Sequence, residues 1–281
     1  MVKTSRVVGL ALATLCLVGS VHQANAGTIT QWSFNTTGNN NSPAPEIGSG
    51  TATPLGMSNS YTLSTGNTIT GSGTFTPGSV TFTSSTTAAD ITATAGDPSG
   101  DANAWRVRGN GNGGGNGWAL QAPQYSQGAQ FSSSTAGYHN IGFSFDWFST
   151  TAGVKNMQEQ YTLDGTTWTN IGSVLTAVSN GWHSTVSTDF SSITGANDNA
   201  NFGVRLVSVY DTTLAFPNYG SADGLQSGYY NNNSGNWRFA AVTFTGTQDV
   251  AAVPEPSSFA LLTLGGLGLA IRGYRRRQTS V

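Results

Sequence analysis

The strongest constraint on this chain is a two-residue alternation of apolar and small or polar side chains. Ile141, Phe143, Phe145 and Trp147 alternate with Gly142, Ser144, Asp146 and Phe148, which puts the first set on one face of an extended strand. The stretch from Asn201 to Tyr210 puts Phe202, Val204 and Leu206 on one face and Arg205 and Val207 on the other. Counted the same way, Trp237, Phe239, Ala241 and Thr243 share one side of the next run, and Val242 and Phe244 line the opposite side. No stretch of about ten residues between Gly27 and Val250 carries a helical stripe. Further strands are expected over Ile29 to Phe34, Ser79 to Thr83, Ala104 to Val107, Trp118 to Gln121, Ala129 to Ser132, Gln160 to Leu163 and His183 to Asp189.

Turn chemistry separates these runs. Asp164-Gly165 lies between Tyr161-Thr162-Leu163 and Thr167-Trp168 and reads as a hairpin, because Gly takes φ > 0 without steric cost. Gly109 to Gly117 and Asn231 to Gly235 read as loops, and Gly38 to Pro54 as a long excursion. Many strands broken by such turns predict an all-β fold, a jelly-roll-like β-sandwich formed as one domain over residues 27–250.

Charge narrows the partners. Only 9% of residues are charged, against about 25% in ordinary soluble domains. With seven Trp and 10% aromatic residues, the chain still has apolar area to bury, so a folded domain with a hydroxyl- and amide-rich surface is expected. Residues 27–250 hold five basic and twelve acidic side chains. Arg106, Arg108, Lys155, Arg205 and Arg238 are scattered, which argues against nucleic acid as a partner. The one cysteine, Cys16, precedes this region, so neither a disulfide nor a thiolate metal site is expected in it.

Both ends read as processing segments. Lys3 and Arg6 give a positive start, Val7 to Val18 is apolar, and Ala24-Asn25-Ala26 before Gly27 is a small-x-small cleavage site. This is the pattern of a signal peptide over residues 1–26, with signal peptidase as the processing partner. The apolar run is shorter than the roughly 20 residues of a spanning helix. Leu15 before Cys16 argues against a lipoprotein site. Over residues 251–277, Val253, Pro254, Glu255 and Pro256 precede the uncharged run from Phe259 to Ile271, which Arg272, Arg275, Arg276 and Arg277 close. The prolines hold the chain extended, the apolar run seeks the bilayer, and the arginines stay on the cytoplasmic side. As a helix, residues 257–271 measure about 22 Å against a hydrocarbon core of roughly 30 Å. A short transmembrane helix is therefore expected, completed by snorkelling arginines and local thinning.

This tail resembles the PEP-CTERM sorting signal, also catalogued as the ice-binding protein C-terminal motif. The resemblance implies recognition by an exosortase, a Gram-negative host that makes extracellular polysaccharide, and an end point at the cell surface or in the extracellular matrix. The region from Ala104 to Gly246 resembles jelly-roll modules of extracellular bacterial proteins and carbohydrate-binding modules, through FSFDWFS (143–149), QYTLDGTTWTNIG (160–172), FGVRLV (202–207) and NWRFAAVTFTG (236–246). Related closing strands often carry an Asp on a structural calcium where Ala240 and Ala241 stand here, a departure that weighs against that site.

Sugar-bond hydrolysis needs two flanking carboxylates; Asp146, Glu159 and Asp164 are the best-placed acids, and each reads first as a solvated strand or turn residue. His139 and His183 are the only histidines of the body; they lie in no nucleophile elbow or zinc motif. Asp97 and Asp101, in an oxygen-rich loop, are the candidate ligands of a structural calcium; no other cofactor is expected. Carbohydrate would stack on exposed rings beside Gly- and Asn-rich loops, with Tyr229, Tyr230 and Trp118 as candidates and Trp105, Tyr125 and Tyr219 as further rings in such positions. The expectation is a non-enzymatic surface or matrix protein that contacts extracellular polysaccharide. The alternatives are a glycosidase or polysaccharide lyase on a similar scaffold, and adhesion to ice or mineral through the Thr-rich stretch from Thr62 to Thr94.

Overall fold

The fold is taken from a computed structural model. It describes residues 26–35, 42–56, 61–63, 80–82, 90–93, 96–107, 118, 124–214, 219–224, 235–249 and 264–266, with backbone alone at 61–63, 80–82, 90, 93 and 184. The strands described are β1 (Ala26–Trp32), β2 (Gly50–Leu55), β3 (Tyr61–Leu63), β4 (Val80–Phe82), β5 (Asp90–Ala93), β6 (Asn103–Val107), β7 (Gly128–Ser133), β8 (Tyr138–Ser149), β9 (Asn156–Thr162), β10 (Thr169–Thr176), β11 (Gly181–Asp189), β12 (Gly203–Val209) and β13 (Trp237–Gln248).

They form two main antiparallel sheets. The β8 sheet runs β11-β8-β13-β6-β5, with β1 also on β13; the β9 sheet runs β10-β9-β12-β7-β2; β3 and β4 make a separate pair. Inward side chains of the two sheets meet in one core. Phe131 of β7 sits at its centre, its ring centroid 5.4 Å from Trp32, 5.7 Å from Trp105, 6.1 Å from Phe239 and 6.2 Å from Phe143. These edge-to-face and tilted pairs add attraction beyond burial alone. A buried hydroxyl contact between Thr30 of β1 and Ser133 of β7, at 2.6 Å, links the sheets at one end. The molecule is thus a β-sandwich.

The alternation in β8 is as expected, with Ile141, Phe143, Phe145 and Trp147 in the core. In β12, Val204 and Leu206 face the core and Arg205 faces out. In β13 the sequence count goes wrong halfway. Trp237 and Phe239 are core residues, and so are Val242 and Phe244, because a bulge between Ala240 and Thr243 shifts the register. Ala241 carries the bulge with φ +48°, and one inserted residue turns the later side chains to the opposite phase.

One strand lies largely where a loop is expected, and another is the second arm of the expected Asp164-Gly165 hairpin. β2 overlaps the expected excursion over Gly38 to Pro54; among its residues only Ala52 belongs to the buried core. β10 is a mostly exposed edge strand, with a register irregularity between Ile171 and Leu175 and Gly172 at φ +66°. Neither offers an apolar stripe. Conversely, Trp118 lies in no strand, and Ala119 to Gln121 fall outside the described residues.

Candidate functional site

The outer face of the β9 sheet carries a continuous polar row. Thr53 of β2 pairs with Gln130 of β7, Gln130 with Arg205 of β12, Arg205 with Gln160 of β9, and Gln160 with Asn170 of β10. Directly paired residues project to the same side, so five strands contribute one side chain each to a band across the sheet.

Arg205 organises that band. Its Nε donates to Gln160 Oε1, and its guanidinium lies over the Trp168 ring, 4.6 Å from the centroid. Gln160 Nε2 donates to Asn170 Oδ1 at 2.6 Å, which fixes the amide that orients Arg205. Tyr125 closes one side, its hydroxyl 3.5 Å from Asn170 Nδ2. Burial pulls the Arg205 pKa below its ordinary value. Gln160 is buried, whereas Arg205, Trp168, Tyr125 and Gln130 are half-buried and Asn170 is exposed. The face therefore presents rings, amides and a guanidinium to solvent.

Trp168 is delivered by the β9–β10 hairpin, whose turn is set by Asp164. Its Oδ1 accepts the N–H groups of Thr166 at 2.7 Å and Thr167 at 2.6 Å, and Gly165 turns at φ +78°. The donated N–H groups of Thr167 and Thr166 hold the Asp164 carboxyl well below the usual range.

One row along the same face, Thr51 pairs with Ser132 and Ser132 with Gly203. Here a depression of about 390 Å³ opens, lined by Ser49, Thr51, Ser132, Ser134 and Asn201 among others, with Gly165 on its rim. That volume lies within the ~300–1,000 Å³ of small-molecule sites. Gly203 adds no side chain between this depression and Arg205.

The residues named from sequence fall elsewhere. Trp118 is fully buried, with its ring 4.5 Å from that of Trp237. It is a core ring and offers no stacking platform, so that expectation is corrected. Trp105 and Tyr219 are also buried. Tyr229 and Tyr230 lie outside the described residues, as do Ala24, Val253, Pro254, Glu255, Pro256, Arg272, Arg275, Arg276 and Arg277; Ala26 and Gly27 open β1.

Asp97 and Asp101 come together with Asp146, which is buried rather than solvated. Asp146 accepts from the Ser99 hydroxyl and from the Thr185 N–H at 2.7 Å. Asp97 Oδ2 accepts from the Asp101 N–H at 3.0 Å. Burial, reinforced by the neighbouring Asp146 carboxylate, raises the Asp97 pKa to about 6 against the N–H groups of Asp101 and Ser99. Burial also raises Asp101, opposed by the Ala241 N–H. The donors taken up here come from the chain itself. Among the described residues no group of three or more His, Cys, Asp or Glu is arranged to hold a metal ion.

Glu159 shares the inward face of β9 with Met157 and is only 4% exposed. It too departs from the solvated reading. Its Oε2 accepts from the Thr188 hydroxyl at 2.6 Å, while Oε1 has no partner among the described residues, and burial lifts its pKa to about 7. Asp146, Glu159 and Asp164 thus sit in three different settings: under a loop, in the core and on an exposed turn. His183 stacks on Trp147 with centroids 5.1 Å apart, and His139 Nδ1 lies 2.6 Å from Asp249 Oδ1.

The sequence signal that pointed to the outer band was slight. Arg205 was visible as an outward residue, and Trp168 as a ring beside a turn. Their meeting depends on the β9–β10 hairpin, which sets the ring just before β10 over a residue of β12, across β9.

No curated protein matches the chain. Among solved structures, the chain is similar to the CBM22-1–GH10 modules of endo-1,4-beta-D-xylanase 10B from Clostridium thermocellum, complexed with xylohexaose. The identity is 14% and the TM-score 0.32, with 59% of this chain and 26% of that one covered. It is also similar to the C-terminal family 22 carbohydrate-binding module of the same enzyme, at 12% identity and a TM-score of 0.31, over 58% of this chain and 85% of that one. The chain thus spans about a quarter of the first of these, and likeness at this level assigns no ligand. In the tail, Leu264 to Gly266 are helical, and among the described residues no helix is long and apolar enough to cross a membrane. Residues 252–277 match the PEP-CTERM protein-sorting motif: the chain carries that tail, which implies export, sorting to the cell surface and an exosortase-type processing partner.

Proposed function

We propose that this is a non-catalytic, carbohydrate-binding protein of the cell surface or extracellular matrix, whose jelly-roll-like sandwich engages polysaccharide with the outer face of the β9 sheet. The observation that carries the reading is the band of Arg205, Trp168, Gln160, Asn170 and Tyr125 beside a hydroxyl-lined depression. Sugars offer apolar ring faces edged by hydroxyls. An aromatic ring meets the first, and amides and a guanidinium meet the second. No cofactor is needed for such binding. The carboxylates weighed for an enzyme are engaged in the fold: Asp146 of β8 accepts from Ser99 of the adjoining loop and from the Thr185 N–H of β11, Glu159 accepts from Thr188 across the sheets, and Asp164 holds its own turn.

The processing reading fits the same architecture. Cleavage by signal peptidase after Ala26 leaves Gly27–Trp32 of β1 in place, still paired from Gly27↔Gly246 onward. Ala26 and Thr247 are register partners, so the start of β1 and the end of β13 lie side by side. Insertion of Phe259 to Ile271 into the bilayer, with Arg272, Arg275, Arg276 and Arg277 on the cytoplasmic side of a Gram-negative inner membrane, would hold the domain outside until exosortase acts.

The binding test is an array of bacterial polysaccharides probed with the full chain in mild detergent. W168A and Y125A are each expected to weaken retention at least severalfold while the melting transition is retained. Unchanged binding in both variants would remove the outer face from consideration.

A further inference from the structure

Among the described residues, Arg205 is a cation without an ion-pair partner. Among the described residues the ion pairs are His139–Asp249 and Lys155–Asp211, and Arg205 enters neither. Its Nε is taken by Gln160 and one face of its plane by Trp168. The two terminal nitrogens, with four N–H donors, have no partner among the described residues. Glu159, next to Gln160, turns into the core, and Asp164, near Trp168 in sequence, spends its Oδ1 on its own turn.

Such an arrangement costs stability. A half-buried charge loses hydration that only an opposite charge or several good acceptors can replace. Neutral hydroxyls would supply acceptors and leave the charge uncompensated. A carboxylate supplies both, because its two oxygens match the planar guanidinium fork in a bidentate pair. Gln160 and Trp168 hold that fork before any ligand arrives, which lowers the entropy cost of binding. The hydroxyl-lined depression starts one row away on the same strands, about 7 Å along, so a carboxylate on Arg205 would leave the neighbouring sugar unit over Ser132 and Thr51.

We infer that Arg205 receives the carboxylate of an acidic sugar unit, and that the ligand of this face is a uronate-containing polysaccharide. This rests on the carbohydrate-binding reading given above. It adds to it an acidic ligand for a domain whose own balance is acidic, so long-range attraction does not supply the affinity and local pairing must.

The test is calorimetric titration of the full chain in mild detergent with oligogalacturonate, oligomannuronate and a glucuronate-containing oligosaccharide, each as the free acid and as its methyl ester. Neutral and sulfated glucans serve as comparisons. At least one free acid is expected to bind about tenfold or more tighter than its ester, with the difference shrinking as salt is raised. R205Q is expected to abolish the acid-over-ester preference. R205K, which keeps the charge and loses the fork, should retain only part of it. R238Q, on the opposite sheet, should leave it intact; thermal melts check that each variant is folded. Equal affinity for acid and ester in every pair overturns the acidic assignment and leaves carbohydrate binding standing. Tighter binding of the sulfated glucan than of any uronate overturns the choice of anion. Acid preference that survives R205Q, or is lost equally in R238Q, overturns the place of Arg205. Failure of every oligosaccharide and glucan to bind overturns both readings.

Discussion

At the scale of single residues, the carboxyl of Glu159 shows how position overrides type. A glutamate beside two glutamines in a short polar run reads as solvated, yet the strand turns it inward with Met157, and its one hydrogen bond among the described residues comes from the Thr188 hydroxyl. Burial lifts its pKa to about 7 from 4.5. A raised carboxyl pKa means that the native state holds its proton where the unfolded chain has released it. The group therefore favours folding most at low pH, and that contribution is lost as pH rises through the folded value. E159Q keeps an acceptor for Thr188 and removes the titration. Relative to the parent, the variant is expected to gain stability steadily between about pH 5 and pH 8, by up to about 3 kcal/mol, read from denaturant midpoints at each pH. A constant difference across that range would show that Glu159 does not titrate inside the core. Trp168 and Arg205 are the converse case. Both are ordinary in sequence, and their chemistry arises when the Asp164 turn lays one over the other.

At the scale of elements, legibility followed the hydrophobic pattern and failed where one residue broke it. β8 and β12 could be read almost residue by residue because their apolar positions keep a strict period of two. β13 could be placed but not oriented beyond Ala240, since nothing about an Ala-Ala pair announces a bulge. β2 escaped notice for a different reason: it buries one small core side chain and needs no stripe, whereas β10, mostly exposed at an edge, was announced only by the Asp164-Gly165 turn before it. The β13 bulge also makes a prediction. Ala241 holds φ +48°, a region that costs L-residues about 1–2 kcal/mol, part of which Gly returns as extra chain entropy lost on folding. A241G is expected to raise stability by about 0.5–1 kcal/mol by chemical denaturation, with the Ala241 N–H still available to Asp101. A loss of stability of that size would mean that the methyl group packs for more than the backbone strain it brings.

At the scale of the whole molecule, the sandwich has no cysteine to staple it and rests on a ring-filled core, while its few charges set how it responds to pH. Two groups of acids pull in opposite directions. Burial raises Glu159 to about 7, Asp97 to about 6, and Asp101. Each of these favours folding below about pH 4 and loses that contribution as pH climbs through its folded value. Asp164 and Asp189 are held below the usual carboxylate range by N–H donors of their own turns. Asp211 is held low by the Lys155 ammonium and by Thr213, against the opposing effect of burial. These three stabilise above about pH 4 and lose that contribution as they are protonated. The repulsion among twelve acids facing five bases over residues 27–250 also relaxes as pH falls toward that point. The two limbs cross in mildly acidic solution, so the melting temperature of the full chain is expected to peak at about pH 4–5 and to decline toward both pH 3 and pH 8. Replacing Glu159 by Gln and Asp97 by Asn together should flatten the alkaline limb while leaving the acid limb in place. A melting temperature that instead rises from pH 4 to pH 7 would mean that the turn carboxylates, and not the buried ones, govern the fold.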